Sequence, residues 1–197
     1  MDGSLLSQLK KYKNLQSSKY IPVRGDEIIT RVFEFDKYYV STKIDGHLCF
    51  IYKKNKEVNL YNFNGKSFKR DELISEAIKK IPVSSALLVG EIYHYDKGKR
   101  TRSFDLTKVI SEANAVIKIG VFDLITYDNK SFEATNWLEK KKLISSIFSE
   151  GDLIHPVQEI EFSSRKELEN EFNQRVNNNN EEGIIARGLN GPTFKIK

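Results

Sequence analysis

The chain has 197 residues, 39% of them hydrophobic, enough for one domain with a sizeable core or for two small ones. Its single cysteine, Cys49, excludes an internal disulfide framework and a cysteine-rich zinc site, and no apolar run approaches the roughly 20 residues of a membrane span. Lys and Arg outnumber Asp and Glu by 32 to 27, giving a formal charge of +5 and a pI near 9.1, which suits a nucleotide or nucleic-acid partner without requiring one. The N-terminus lacks the apolar stretch of a signal peptide, so the chain is expected to be intracellular, cytoplasmic or nuclear, with no membrane partner.

Residues 4–15 place Leu5, Leu6, Leu9 and Tyr12 near helical spacing behind Ser4 as a cap, which predicts a short amphipathic helix. Residues 31–68 are rich in aromatic and β-branched side chains and are broken by Asp45-Gly46, Lys54-Asn55-Lys56 and Asn64-Gly65, the turn chemistry of a β-meander. A helix follows over 71–81, with Asp71 as N-cap and Leu73, Ile74, Ala77, Ile78 and Ile81 on one face. The apolar runs 85–95 and 115–127 read as buried strands, and 104–113 between them as a short helix. Further helices are expected over 134–148, presenting Trp137, Leu138, Leu143, Ile144 and Ile147, and over 164–176, presenting Leu168, Phe172 and Val176. The Asn run 177–180 reads as an exposed loop, and the chain closes on two strands around Gly191-Pro192. Strands and helices alternate too irregularly for a doubly wound fold, so the expected class is α+β, antiparallel sheets packed with helices, with 1–197 as one domain.

No phosphate-binding P-loop, dinucleotide fingerprint or serine-hydrolase elbow is present, and His47, His94 and His155 are too dispersed for a metal cluster and read as structural. What remains is a set of charges at strand ends: Lys43 and Asp45 in KIDG, Glu91 in GEIY, Glu182 in EEGII, and Lys195 and Lys197 in FKIK. Taken singly, each reads as a solvated charge, Asp45-Gly46 as a hairpin turn, Phe122 as core, and FKIK as an edge strand with its lysines in water.

In the order KIDG, GEIY, VFDLITYD, EEGIIAR and FKIK, however, the sequence resembles the nucleotidyltransferase domain of ATP-dependent polynucleotide ligases and mRNA capping enzymes, matching motifs I, III, IIIa, IV and V. The stretches KRTRSFDLTKVIS and WLEKKKLISSIF also look like ligase segments, so the resemblance runs over nearly the whole chain. It implies an ATP-grasp-like domain in which Lys43 attacks the α-phosphorus of ATP, releases pyrophosphate and becomes a lysyl–AMP phosphoramidate. It further implies that Asp45, Gly46 and Glu91 hold the ribose and orient the lysine, that Phe122 stacks on the purine, and that Lys195 and Lys197 grip phosphates. Glu91 and Glu182 would be hard oxygen ligands for Mg2+, with Mn2+ as the alternative ion. A lysine attacks only as the neutral amine, so nearby cations, Lys195 and Lys197 among them, are expected to favour loss of its proton. The expected acceptor is a nucleic-acid 5′-phosphate, DNA slightly favoured over RNA by the Gly before Glu91 and by VFDLITYDNK, in keeping with a place in DNA repair.

Two positions depart from the ligase pattern. Leu48 stands where ligases usually carry an Arg after motif I, and Phe63 where a second Arg is usual, which weakens 5′-phosphate recognition more than nucleotide binding. Lys66, Lys69 and Arg70, or the loop Lys97, Lys99, Arg100 and Arg102, are the basic residues available to substitute, and the loop reads equally as solvated charge. The resemblance also implies an OB-fold domain or partner subunit beyond motif V, which these residues do not include. Two alternatives therefore stay open: a degenerate nucleotide-binding module without end-joining, and a capping-type enzyme transferring GMP.

Overall fold

Residues 57–61 alternate buried with more exposed side chains, the two-residue period of a strand lying on a core, whereas residues 71–80 bury Leu73 and Ala77 four apart, the period of a helix. The computed structural model, which describes residues 2–96, 98–189 and 191–197, carries both periods through the chain. In order it contains α1 (Gly3–Lys19), β1 (Tyr20–Val23), α2 (Ile28–Arg31), β2 (Tyr38–Thr42), β3 (His47–Lys54), β4 (Glu57–Tyr61), β5 (Ser67–Phe68) and α3 (Asp71–Lys80). There follow β6 (Ser85–Asp96), β7 (Lys99–Arg100), α4 (Ser103–Val109), β8 (Ile117–Tyr127), β9 (Lys130–Ser131), α5 (Trp137–Ile147), β10 (Ile154–Pro156), β11 (Ile160–Phe162), α6 (Arg165–Phe172), β12 (Ile184–Gly188) and β13 (Thr193–Ile196). The chain divides into two compact units.

The first unit comprises the residues up to Lys11 and Asp45–Pro156. Its sheet runs β10-β8-β6-β3-β4-β5, with β7 paired to β6 and β9 to β8. Neighbours are antiparallel except β10, which lies parallel to β8. Cys49, Ile51, Leu88, Ile92, Ile119 and Leu124 form a core with Leu73 and Ala77 of α3 and Ile144 and Ile147 of α5. Two buried cations serve this core. Lys53 donates to the carbonyl of Ile81 at the C-terminal end of α3, where the helix leaves carbonyls without intrahelical partners. Arg70 donates to the carbonyls of Ile110, Glu112 and Ala115 at 3.2, 2.9 and 2.6 Å.

The second unit comprises Tyr12–Ile44 and Val157–Lys197. Its sheet runs β1-β13-β12-β2-β11, antiparallel except where β1 lies parallel to β13. Tyr38, Val40, Ile184, Ala186, Phe194 and Ile196 pack with Leu168 and Phe172 of α6. α6 is capped by Ser164, whose hydroxyl accepts from the Glu167 amide while the Glu167 carboxylate accepts from the Ser164 amide, a capping box.

Three expectations need correction. The meander over 31–68 holds only for β3, β4 and β5; β2 lies in the other sheet, paired with β12 and β11, so Asp45-Gly46 joins two sheets and closes no hairpin. Asp71 is the first residue of α3, with Arg70 at the cap position, and α1 begins at Gly3, where the Asp2 carboxylate accepts from the Ser4 amide. Short edge strands such as β1, β10 and β11 went unpredicted because three or four residues carry too little periodicity. Among the described residues, no helix is long and apolar enough to cross a membrane.

Candidate active site

Lys43 follows the last residue of β2, and its backbone amide donates to the Gly183 carbonyl at 2.9 Å. This bond continues the β2–β12 ladder past its final pair, Thr42 with Ile184. Continuation needs glycine at 183, because a Cβ there would stand 2.2 Å from the Ile196 carbonyl oxygen. With the backbones so held, the Lys43 ammonium donates to the Glu182 carboxylate, which also takes the Lys197 ammonium. Lys43 and Glu182 side chains are 13% and 17% exposed, and Lys197 is 50% exposed. Burial alone would raise the pKa of the Glu182 carboxyl; the hydrogen bonds from Lys197 and Lys43 outweigh it, and the pKa is lowered. Lys195 sits two residues before Lys197 on β13, opposite Ile185 and half-buried. Lys43 of KIDG, Glu182 of EEGII and Lys197 of FKIK thus meet within the second unit. Beside the cations expected around Lys43, the structure places a carboxylate between Lys43 and Lys197.

Asp45, Gly46, Glu91 and Phe122 belong to the first unit. The Gly46 amide donates to the Glu91 carboxylate at 3.3 Å, and a Cβ on Gly46 would lie 2.3 Å from the Ile92 carbonyl oxygen, so the chain passes β6 here only as glycine. Phe122 is the extra residue of a β-bulge in β8: Val89 pairs with Asp123 and Gly90 with Val121, leaving Phe122 without a partner in the ladder. A bulge re-aims a side chain that a regular strand would have committed to one face.

Arg100 and Arg102, expected in a loop that either contacts nucleic-acid phosphates or is simply solvated, both turn to Asp45, at 3.3 and 3.9 Å. The Arg100 side chain is only 9% exposed, so it acts as an internal counter-charge to Asp45, while Arg102 stays 48% exposed. Lys99 is exposed, and Lys97 lies outside the described residues. Leu48 pairs with Glu91 in the β3–β6 register, so an apolar side chain stands where the resemblance leads one to expect an arginine. Arg70 cannot substitute for that arginine, because its guanidinium is committed to backbone carbonyls, whereas Lys66 and Lys69 are exposed. Sequence reasoning passed over Phe104 in α4, 80% exposed two residues after Arg102; only an exposure measurement separates such a ring from core.

The histidines have hydroxyl partners: His47 with Thr107 at 3.1 Å, His94 with Thr101 at 2.7 Å and His155 with Tyr93 at 2.7 Å. Cys49 is buried, and burial pushes its thiol well above the usual range, which leaves it inert. Among the described residues, no group of three His, Cys, Asp or Glu side chains could hold a metal ion. Glu91 and Glu182 therefore each offer a single carboxylate, which suits an ion that keeps waters and binds substrate phosphates.

The family model for the ATP-dependent DNA ligase domain matches residues 22–194. The chain belongs to this family. Among ligase relatives it is 22% identical over 182 residues to a probable DNA ligase of Dictyoglomus thermophilum, covering 86% of this chain and 30% of that protein. It is 24% identical over 178 residues to a DNA ligase of Thermoplasma volcanium, covering 83% of this chain and 29% of that protein. The chain thus spans about a third of the length of these ligases. Its fold matches that of a mycobacterial DNA ligase D solved in complex with ATP and MES, at a TM-score of 0.62 and 16% identity over 82% of this chain and 54% of the other. The expected α+β class and ligase-type fold are borne out.

Proposed function

We propose that residues 1–197 form a nucleotidyltransferase domain that adenylates itself on Lys43 and passes AMP to a nucleic-acid 5′-phosphate, DNA rather than RNA. The observation that carries this reading is the meeting of Lys43, Glu182 and Lys197 in a chain matched by the ATP-dependent DNA ligase domain. In the covalent step the Lys43 amine forms a P–N bond to the α-phosphorus, the bond to pyrophosphate breaks, and the amine gives up a proton. Lys195 and Lys197 bind phosphate oxygens and stabilise the charge that builds on the leaving pyrophosphate. Glu182 accepts from the resting amine and aims it, and must release it before attack. Asp45, oriented by Arg100, and Glu91 take the ribose, and Phe122 stacks on the purine. Glu182 and Glu91 would each offer a single carboxylate to Mg2+, or Mn2+, which would supply charge neutralisation at the phosphates. An OB-fold module, on the same polypeptide or on a partner, would complete the acceptor step.

A second reading follows from Leu48: with an apolar side chain at the arginine position and Arg70 committed elsewhere, the domain binds nucleotide without sealing ends. One experiment tests both. Incubation with ATP labelled at the α-phosphate and Mg2+, then denaturation, gives covalent label on the wild type and none on Lys43→Ala. Label followed by transfer to a nicked duplex supports the ligase reading, and reversible binding without covalent label supports the binding module. Label from GTP in place of ATP identifies capping-type chemistry.

A further inference from the structure

In the second unit, β2 directs Tyr38, Val40 and, by its two-residue period, Thr42 to one face, and Thr42 pairs in register with fully buried Ile184. A hydroxyl thus ends a row of core side chains, immediately before Lys43. It accepts a hydrogen bond from the Arg175 guanidinium, which also donates through Nε to Glu171 one turn earlier. The Arg175 and Glu171 side chains are 17% and 14% exposed. The Arg175 carbonyl accepts from the Glu181 amide at 3.0 Å. One residue is therefore tied by its side chain to the neighbour of Lys43 and by its backbone to the neighbour of Glu182.

Arg175 lies in a π-helical turn, Asn173–Asn178, a widened turn of the kind that recurs at functional sites. The chain leaves it through Asn180 at φ 56°, a conformation Asn tolerates better than most residues. A largely buried ion pair returns little stability over apolar residues of the same volume, so stability alone gives no reason for an arginine fork at this core edge. A fork held at both ends fixes direction. We infer that Arg175 is a positioning residue, which through Thr42 holds the last step of β2 so that the Lys43 amine stands in register with Glu182 for attack. This inference rests on the lysyl–AMP reading.

The test uses the full chain and compares Arg175→Met, Thr42→Val, Thr42→Ser and the double variant Thr42→Val with Arg175→Met. Because misplacement of a reacting atom by ~1 Å costs about 10²-fold, single-turnover labelling of Lys43 at saturating ATP should slow roughly 10- to 100-fold in Arg175→Met and Thr42→Val. The ATP concentration giving half-maximal rate should stay within about twofold, and Thr42→Ser, which keeps the hydroxyl, within about threefold of the wild-type rate. The double variant should be no slower than the slower single variant, since both break one brace. A second readout needs no ATP: competitive acetylation, read by peptide mass spectrometry, should change at Lys43 relative to Lys37 and Lys166 in both variants. A wild type that takes no label removes the lysyl–AMP reading and leaves acetylation to decide the brace. Folded variants with wild-type labelling and acetylation overturn the inference, as does a loss that merely tracks the unfolded fraction in circular-dichroism melts.

Discussion

Glu182 carries two duties that pull against each other. It stabilises the resting cluster by accepting from Lys43 and Lys197, and in the proposed reaction it must release the Lys43 amine before attack. The pH dependence follows from linkage. Burial alone would raise the Glu182 pKa, but the hydrogen bonds from Lys197 and Lys43 lower it by more, so the folded value lies below the reference of 4.5. In the window below that reference the unfolded chain binds the proton first; the cluster's contribution is complete above it and is lost as pH falls through the folded value. Melting temperatures measured from pH 7 down to pH 3 should therefore fall more steeply for the wild type than for Glu182→Gln below about pH 4.5. Parallel curves would mean that the carboxylate is not held by the lysines in solution. Both lysines and both glutamate-bearing motifs stood out in the sequence as charges at strand ends. That Lys197 and Lys43 share one carboxylate did not, because the partners are 15 and 139 residues away from Glu182.

Helices were the legible elements. α3, α5 and α6 place apolar residues three and four apart beside charged faces, and this local period survives whatever the helix packs against. Leu73 of α3 is fully buried in the core of the first unit, so Leu73→Ala should cost about 2–5 kcal/mol in urea unfolding while Lys43 labelling in the folded fraction is unchanged. Strand partnership was less legible. β2 and β3 are consecutive, aromatic and β-branched, and separated by an Asp-Gly pair, yet each joins a different sheet. Hairpin chemistry favours a turn without requiring one, and the buried rows Tyr38–Val40 and Cys49–Ile51 found separate cores. The bulge at Phe122 was equally hidden, since an inserted residue in an apolar run leaves the composition untouched.

Nucleic-acid binding, proposed for the chain as a ligase-type domain, can be examined on the exposed cations and ring that the first unit presents. Arg102 is 48% exposed and Phe104 80% exposed, cation and aromatic two residues apart, the pairing that supports phosphate contact and base stacking. In gel shifts on a nicked duplex, Arg102→Ala should lower the slope of log affinity against log salt by about one contact, and Phe104→Ala should weaken binding by roughly 1–3 kcal/mol at every salt concentration. Unchanged affinity in both would assign the surface to ordinary solvation. Arg100, drawn inside to Asp45, is excluded from that test by its burial, a distinction among neighbouring basic residues that charge counting could not make.

The sequence by itself determined the kind of molecule: the KIDG, GEIY, EEGII and FKIK stretches in order, the helical periods and the α+β class, because each rests on residue types within a few positions of one another. Tertiary structure alone decided which charges meet. Lys43 reaches Glu182 because β2 leaves its sequence neighbour for β12, and Arg175 reaches Thr42 because a π-helical turn follows α6. Such long-range pairings are selected by the burial of whole faces and the closure of long loops, quantities that exist only once the chain has folded.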